Sequence, residues 1–333
     1  MYLLRIAFAM VIIFGFDVKT GHADHGEDSL RIAVADDVLE DYKRFLDGRD
    51  PLDIETFEGE YSRRDVVEVV LIQQALRRGG WRGDITLIAG GGYVRMRKLL
   101  ADGDADITGS TTWLDDIEKK AGEIAPSRAM IPKGRFEAGF YMLADNPERL
   151  KIRNIRGLRL LRAASNRNWV PDWQALARLR VADLINVPSW KLMVEFVATD
   201  RADFLLAPFQ PGPDMELVVD DVRMLPIPDY KIALEGSRHY AVSGVQHYSD
   251  TLLTAIDQGL LELDRIGRVE QAYRQSGFFH PGVTDWTMIG LDGVGQSHLM
   301  PERQAGPPHI YVENQIFSLS DAIRRLYPET TAF

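Results

Sequence analysis

The chain has 333 residues, 45% of them hydrophobic and 26% charged, an ordinary globular composition with enough apolar residues for more than one core. Its net charge of -10 sets it against nucleic acid and against a broad anionic membrane footprint, although a local pocket can still oppose the global field and hold an anion. With no cysteine, disulfides, thiolate metal sites, cysteine nucleophiles and a lipid-modified N-terminal cysteine are all excluded.

The first residues read as a secretory signal. One basic residue, Arg5, precedes an apolar run at 6–16, and the polar stretch that follows ends in Gly21-His22-Ala23, with small residues at the positions a signal peptidase reads. The run is short of the roughly 20 residues a spanning helix needs. The expectation is export to the periplasm with cleavage after Ala23, and a mature chain, monomeric and not inserted in the membrane.

Residues 30–35 form a β-rich run, followed by Asp36-Asp37 and about two dozen loop residues. Ser62-Arg63-Arg64-Asp65 reads as a helix start of the Ser-x-x-Asp capping type. Behind it Val66, Val67, Val69, Val70, Leu71, Ile72, Ala75 and Leu76 make a wide apolar face, with Glu68, Gln73, Gln74, Arg77 and Arg78 as the polar side, until Gly79-Gly80 stops the helix. A strand at 85–89, a Gly90-Gly91-Gly92 turn, a helix at 93–101 and a strand at 106–109 complete a doubly wound α/β unit. A second unit repeats that order: strands at 159–162, 183–187 and 204–207, with helices within 169–178 and over 189–199. Extended segments at 137–144 and 230–243 lead into and out of it. A long amphipathic helix at 251–275, with Leu252, Ile256, Leu260, Leu263, Ile266 and Tyr273 near one face, needs a surface, and the first unit offers one. In the tail, 301–308 is a linker and Ser318-Leu319-Ser320-Asp321 caps a short helix ending near Tyr327-Pro328.

Several stretches in this order carry a resemblance. Leu99-Leu100-Ala101-Asp102-Gly103-Asp104-Ala105-Asp106-Ile107 and its counterpart Asp200-Arg201-Ala202-Asp203-Phe204 precede the third strand of each unit. Asn154-Ile155-Arg156-Gly157-Leu158-Arg159-Leu160 enters the second, and Gly267, Val269 and Tyr273 sit in the closing helix. Together they resemble the type 2 periplasmic solute-binding proteins, and within them the family that includes amino-acid-binding components of ABC transporters. The resemblance implies two doubly wound α/β lobes joined by two crossing strands, with ligand in the cleft between them. It divides the chain into a signal (1–23), a first lobe (24–140 and 235–279), a second lobe (141–234) and an extension (280–333) packed on the first lobe. It implies a binder and not an enzyme, without a cofactor, whose partners are a small-molecule ligand and an inner-membrane ABC permease. The alternatives are a sensing protein that presents its ligand to a receptor, and a dehydratase-like enzyme on the same fold. Two anchors usual in that family are absent where they would stand: 114–120 contains no arginine, and 207–210 contains no aspartate.

Open parallel sheets receive ligands beyond the carboxyl ends of their strands. That rule selects Asp37, Tyr93, Ser110, Thr112 and Trp113 in the first lobe and Asn166, Arg167, Ser189, Trp190 and Pro208 in the second, with Arg167 as the charged anchor and Trp113 as the stacking surface. Gly90-Gly91-Gly92 lacks the residues of a phosphate loop and reads as a tight turn. The seven histidines show no His-Glu-x-x-His spacing, there is no Gly-x-Ser-x-Gly elbow, and the acid pairs Asp36-Asp37 and Asp115-Asp116 read as solvated or helix-capping.

Overall fold

The computed structural model describes residues 29–290 and three short strands at 295–296, 309–312 and 315–318. The expected signal and the helix expected after Ser318 lie outside the described residues. The chain divides into two compact units: unit 1 holds 29–133 and Gly236–Ser276, unit 2 holds Gly134–Glu235 and the chain from Gly277 onward.

In chain order, unit 1 opens with β1 (Leu30–Val34), α1 (Asp36–Leu46), α2 (Arg64–Arg78), β2 (Ile85–Ala89), α3 (Tyr93–Asp102), β3 (Ile107–Thr108), β4 (Thr112–Trp113), α4 (Leu114–Glu118) and β5 (Ile124–Pro126). Unit 2 contributes β6 (Phe136–Leu143), α5 (Ile155–Arg159), β7 (Arg162–Ser165), α6 (Val170–Leu179), β8 (Asp183–Asn186), α7 (Trp190–Ala198), β9 (Phe204–Ala207), β10 (Leu217–Val219) and β11 (Val222–Leu234). The chain returns to unit 1 through β12 (Arg238–His239), β13 (Ala241–Ser243), α8 (Ser249–Arg265) and α9 (Arg268–Gln275), then supplies β14 (Thr287–Ile289) to unit 2.

Unit 1 is a five-stranded sheet in the order β2-β1-β3-β13-β5, parallel among β2, β1 and β3 and antiparallel at β13 and β5. The stretch after β1, expected to be loop, is α1. Val38, Tyr42 and Phe45 recur at helical spacing and are buried, Asp36-Asp37 occupy its first turn, Lys43 and Arg44 its last, and Asp47 ends it in the left-handed region. The Ser62 cap is also corrected. Arg63 is the N-cap of α2, with no side-chain cap, and the Ser62 hydroxyl donates instead to the Phe57 carbonyl. The expected polar side of α2 is largely buried, for Glu68, Gln73 and Gln74 are covered along with the apolar face.

The long C-terminal helix is two helices. Gly267, at φ 75°, takes the left-handed conformation, and Ile266, expected inward, is half-exposed at the break. α8 lies on α2, burying Leu252, Ala255, Ile256, Gly259, Leu260 and Leu263. Glycine lets the two backbones touch: a Cβ on Gly259 would lie 1.8 Å from the Ala75 carbonyl oxygen, and one on Gly79 would lie 1.7 Å from that of Ala255.

Unit 2 is built on a mixed sheet ordered β14-β11-β6-β9-β7-β8, with β7 parallel to both β8 and β9 and β6 antiparallel to β9 and β11. The strand expected at 159–162 is shifted: 155–159 is α5, capped by the Asn154 side chain, and β7 starts at Arg162. β6 pairs with β9 and β11, so residues 136–140, assigned by sequence to the first lobe, belong to unit 2. Pro226 and Pro228 stand at the bulge in β11, where a missing N–H costs no ladder bond. The extension from residue 280, expected as a strap on the first lobe, is over its described part an element of unit 2. β14 runs parallel to the open edge of β11, and Val283 and Trp286 pack with Phe209 and Met215.

Each unit has its own clamp, of the same kind in both. In unit 1, Asp106, fully buried just before β3, accepts from the Arg31 backbone N–H at 2.7 Å and from its guanidinium at 3.2 and 3.0 Å. In unit 2, Asp203, just before β9, accepts from the Arg162 N–H at 2.6 Å and from its guanidinium at 3.1 and 2.8 Å. These aspartates are the ones in the Asp-Ala-Asp-Ile and Arg-Ala-Asp-Phe segments that carry the family resemblance. Their work is to lock the amino ends of neighbouring strands, which leaves the carboxyl ends for other chemistry.

Candidate functional site

At the carboxyl ends of β1 and β3 in unit 1, chain segments far apart in sequence meet in a buried polar cluster. The chain leaves β3 through Ser110 and Thr111, both fully buried, into β4, whose Thr112 and Trp113 pair antiparallel with β12. That pairing lays the Arg238 guanidinium over the Trp113 ring, 4.7 Å from its centroid, with both side chains more than nine-tenths buried. Arg238 donates through Nε to the Thr111 hydroxyl at 3.0 Å and through its guanidinium to the Thr111 carbonyl.

Thr111 is tied in turn to α2. Its N–H and hydroxyl donate to the Glu68 carboxylate at 2.8 and 3.0 Å, and Glu68 also accepts from Arg64 at 2.9 and 3.0 Å and from the Tyr273 hydroxyl at 2.9 Å. Tyr240 donates to the Glu68 backbone carbonyl at 2.6 Å. Asp65 pairs with Arg64 and Arg63 and receives a hydrogen bond from Tyr93.

The charges in this cluster respond to one another. Burial opposes the charge on Arg64, but Asp65 and Glu68 outweigh it and hold its pKa well above the ordinary value. Burial would raise Asp65, yet Arg64, Arg63 and Arg238 bring it down. Arg238 goes the other way: burial first, and then the positive charge of Arg64, lower its pKa. Burial, and after it the charge of Asp65, raises Tyr93. The Ser110 hydroxyl is buried without a hydrogen-bond partner among the described residues.

The structure thus brings Ser110, Thr112, Trp113 and Tyr93 into one neighbourhood and sets Asp37 at its margin. Asp37 is exposed in the first turn of α1 and pairs with Arg63 at 3.0 Å. Trp113 has one face covered by Arg238 and is not the open platform expected of it. Gly90-Gly91-Gly92 is a tied turn: the Gly91 N–H donates to Asp36 at 2.9 Å, and Gly91 is left-handed at φ 64°. Asp115-Asp116 stand in the first turn of α4, where Asp116 pairs with Arg97 and Lys119 at 2.8 Å each.

In unit 2 the expected residues again gather at strand carboxyl ends, where most are engaged in holding the loops. Asn166 donates to the Pro188 carbonyl at 3.0 Å and accepts from the Asn168 N–H at 2.8 Å. Ser189 caps α7, accepting from the Leu192 N–H at 3.4 Å. Trp190 is half-buried against the core beside Trp169, centroids 6.4 Å apart. Pro208 is half-buried and its carbonyl accepts from Gln210 at 2.9 Å. Arg167 is exposed, its backbone N–H held by Asn186 at 3.0 Å and its guanidinium over the Trp173 ring at 5.2 Å. A separate cavity of about 470 Å³ in unit 1, lined by Asp50, Gln73, Arg77 and Asp84 among others, opens near the amino end of β2, at the opposite strand ends from the unit 1 cluster.

No protein-family model matches the chain, and no curated protein sequence does. Solved structures do. The probable amino-acid ABC transporter extracellular-binding protein YtmK of Bacillus subtilis aligns over 75% of this chain and 97% of its own, at 14% identity and a TM-score of 0.50. The fold is that of a type 2 periplasmic binding protein. The periplasmic VFT2 domain of Bordetella pertussis BvgS aligns over 74% of this chain and 93% of its own, at 13% identity and a TM-score of 0.47. The AbpA substrate-binding protein of Streptococcus pneumoniae, bound to L-arginine, aligns over 75% and 96%, at 12% identity and 0.46.

In this periplasmic-binding-protein fold, the members of the unit 1 cluster that escaped sequence reasoning include Arg64, Asp65, Glu68 and Arg238. Arg64, Asp65 and Glu68 read as the helix start and outer face of an amphipathic helix. Arg238 lies on an extended return segment far in sequence from 114–120, where the family resemblance implies an arginine, and the β4–β12 pairing brings it to Trp113. The available signal was the run Arg238-His239-Tyr240, polar and aromatic residues in a segment otherwise destined for the core.

Proposed function

We propose that this protein is an exported solute-binding protein that captures a small polar molecule bearing an anionic group and serves an ABC-type transporter, without catalysing a reaction. The observation that supports this reading best is the Arg238–Trp113 pair near the buried Ser110 hydroxyl, which has no hydrogen-bond partner among the described residues, at the carboxyl ends of unit 1's parallel strands. A stacked guanidinium binds carboxylate or phosphate bidentately, the aromatic ring offers its edge to an apolar portion, and a free hydroxyl can donate or accept. An anion at Arg238 would offset the burial and the Arg64 charge that disfavour its protonated form. The likeness to YtmK, a probable amino-acid ABC transporter extracellular-binding protein, supports a transport role, as does the secretory pattern of the first residues.

A thermal-shift screen against amino acids, organic acids and phosphorylated metabolites tests the reading. A ligand that binds only the folded chain adds about 2.7 kcal/mol at a hundredfold excess over its Kd. Arg238→Lys and Trp113→Ala should each remove most of that shift while the unliganded protein still melts cooperatively. A panel with no stabilising compound, or turnover of one of them, would overturn the proposal.

A further inference from the structure

Unit 2 carries a basic surface that the solute-binding reading does not use. Residues 147–162 contain six cations, Arg149, Lys151, Arg153, Arg156, Arg159 and Arg162, against one acid, Glu148, in a chain whose net charge is -10. Several of them are committed to structure. Arg162 makes the clamp to Asp203, Arg149 donates to the Pro226 carbonyl at 3.2 Å, and Arg159 donates to the Leu179 carbonyl at 2.8 Å, fixing α5 against the end of α6. Arg153 and Arg156 are exposed, and among the described residues no ion pair engages them; Arg180, at the end of α6, is in the same state. Two leucines lie in the same segment, Leu160 at 78% exposure and Leu150 at 49%. α5 leads directly into the first residue of β7, so this surface is at the amino ends of the strands. The ligand-site candidates of unit 2 stand at the carboxyl ends, about 10 Å away along β7.

We infer that this face docks the protein peripherally on an anionic phospholipid surface. Guanidinium groups attract and bind lipid phosphates, each cation near such a surface contributing favourably. The leucines favour lipid over an acidic protein face, because a headgroup layer receives apolar side chains between the cations while a carboxylate-rich surface engages the cations alone. The overall negative charge does not forbid this. At physiological ionic strength the Debye length is about 8 Å, so distant acids are screened while the patch is in contact. The near acids are Glu148, paired with Lys151, Asp200 and Asp203, paired with Arg162, and the exposed Asp183 opposite Arg162 on β8, so the cations left for lipid are Arg153, Arg156 and Arg180.

The full-length chain is tested by co-sedimentation with vesicles of one-third phosphatidylglycerol in phosphatidylcholine, and with phosphatidylcholine alone. The apolar run at 6–16 is common to all variants, so phosphatidylcholine binding is the baseline and the increment from phosphatidylglycerol is the readout. The increment should be present in the wild type and should vanish near 1 M salt, where the Debye length is about 3 Å. It should fall at least tenfold in the double variant Arg153→Glu, Arg156→Glu, and several-fold in Leu160→Ser, with melting temperatures unchanged because all three side chains are exposed. Absence of any increment in the wild type overturns the proposal. So does wild-type behaviour of the double variant. Loss on charge reversal with no effect of Leu160→Ser also overturns it, since that pattern belongs to an acidic macromolecule without apolar insertion.

Discussion

Glu68→Gln should destabilise unit 1 more than any other isosteric change in it. Glu68 is fully buried and accepts from Arg64 at 2.9 and 3.0 Å, from the Thr111 N–H and hydroxyl at 2.8 and 3.0 Å, and from Tyr273 at 2.9 Å. The amide replaces one acceptor oxygen by a donor, which either faces the donor-only Arg64 and Thr111 N–H or forces the Thr111 and Tyr273 hydroxyls to turn and accept, and it removes the charge opposite Arg64. Breaking a buried pair from one side costs about 3–5 kcal/mol. Asp65 still neutralises part of Arg64, and the amide oxygen keeps some of the bonds, so a loss of about 2–4 kcal/mol is expected. Urea unfolding of wild type and variant, with hydrogen exchange of the β3 amides to assign the change to unit 1, measures it. Because Thr111 orients Arg238, solute affinity should fall as well. A shift below about 1 kcal/mol would mean that water enters the cluster and that Glu68 does not organise it.

Other expectations follow from single contacts. Gly259→Ala sets a Cβ 1.8 Å from the Ala75 carbonyl oxygen, a backbone atom that cannot move aside, so α8 must shift off α2 and the melting temperature should fall by several degrees; an unchanged melt refutes the close approach. Trp286→Ala removes a half-buried ring packed edge-on against Phe209 at 5.6 Å and should cost unit 2 about 2 kcal/mol in a denaturant titration; no loss would detach the 281–290 segment from that unit. His239, lowered in pKa chiefly by burial, donates from Nδ1 to the Ser127 carbonyl at 2.6 Å and shares a bond with Ser237 at 2.8 Å. Its folded pKa lies below the unfolded value of 6.5, so the unfolded chain binds more protons there and stability drops as pH falls through 6.5 toward the folded value. Denaturation midpoints measured between about pH 7.5 and about pH 5.5 should show that slope in the wild type and a flatter one in His239→Gln.

How far the sequence alone reaches depends on how local the cause is. β9 over 204–207 and the helix expected at 189–199 were legible because a short continuous apolar run and helical spacing are both local patterns. α1 was not legible although Val38, Tyr42 and Phe45 have helical spacing, because its start carries no capping side chain: Ala35 is the N-cap and the acids Asp36 and Asp37 lie inside the first turn. Glu68 was placed outside because a single helix shows amphipathicity only toward one neighbour. α2 is covered by α1, α8 and α9 at once, and a carboxylate can be buried there only because Thr111 and Tyr273 arrive from distant segments to join Arg64, one turn back on the same helix. Arg238 was beyond reach for a similar reason: its partner Trp113 is 125 positions away and is met only through the pairing of β4 with β12.

The Arg31–Asp106 and Arg162–Asp203 clamps show why the fold was readable at all while the site was not. Each clamp needs one arginine on a first strand and one aspartate immediately before a third, so its sequence trace is short and survives as a segment that resembles a family. Burial would raise Asp203, but the bonds from Arg162 outweigh it and its pKa is lowered, so the clamp holds at any pH above the ordinary carboxylate value of 3.8 and weakens only as the medium becomes more acid than that. With the amino ends of the strands locked in this way, the carboxyl ends need not contribute to holding the sheet. They can carry side chains whose burial is costly, such as Arg238 beside Arg64, and such side chains come from whatever segments the topology delivers there. The buried polar cluster of unit 1 is therefore assembled from distant residues on a scaffold whose clamps leave short sequence traces, and under the proposed function a solute that pairs with Arg238 would act on the part of unit 1 that the clamp leaves unconstrained.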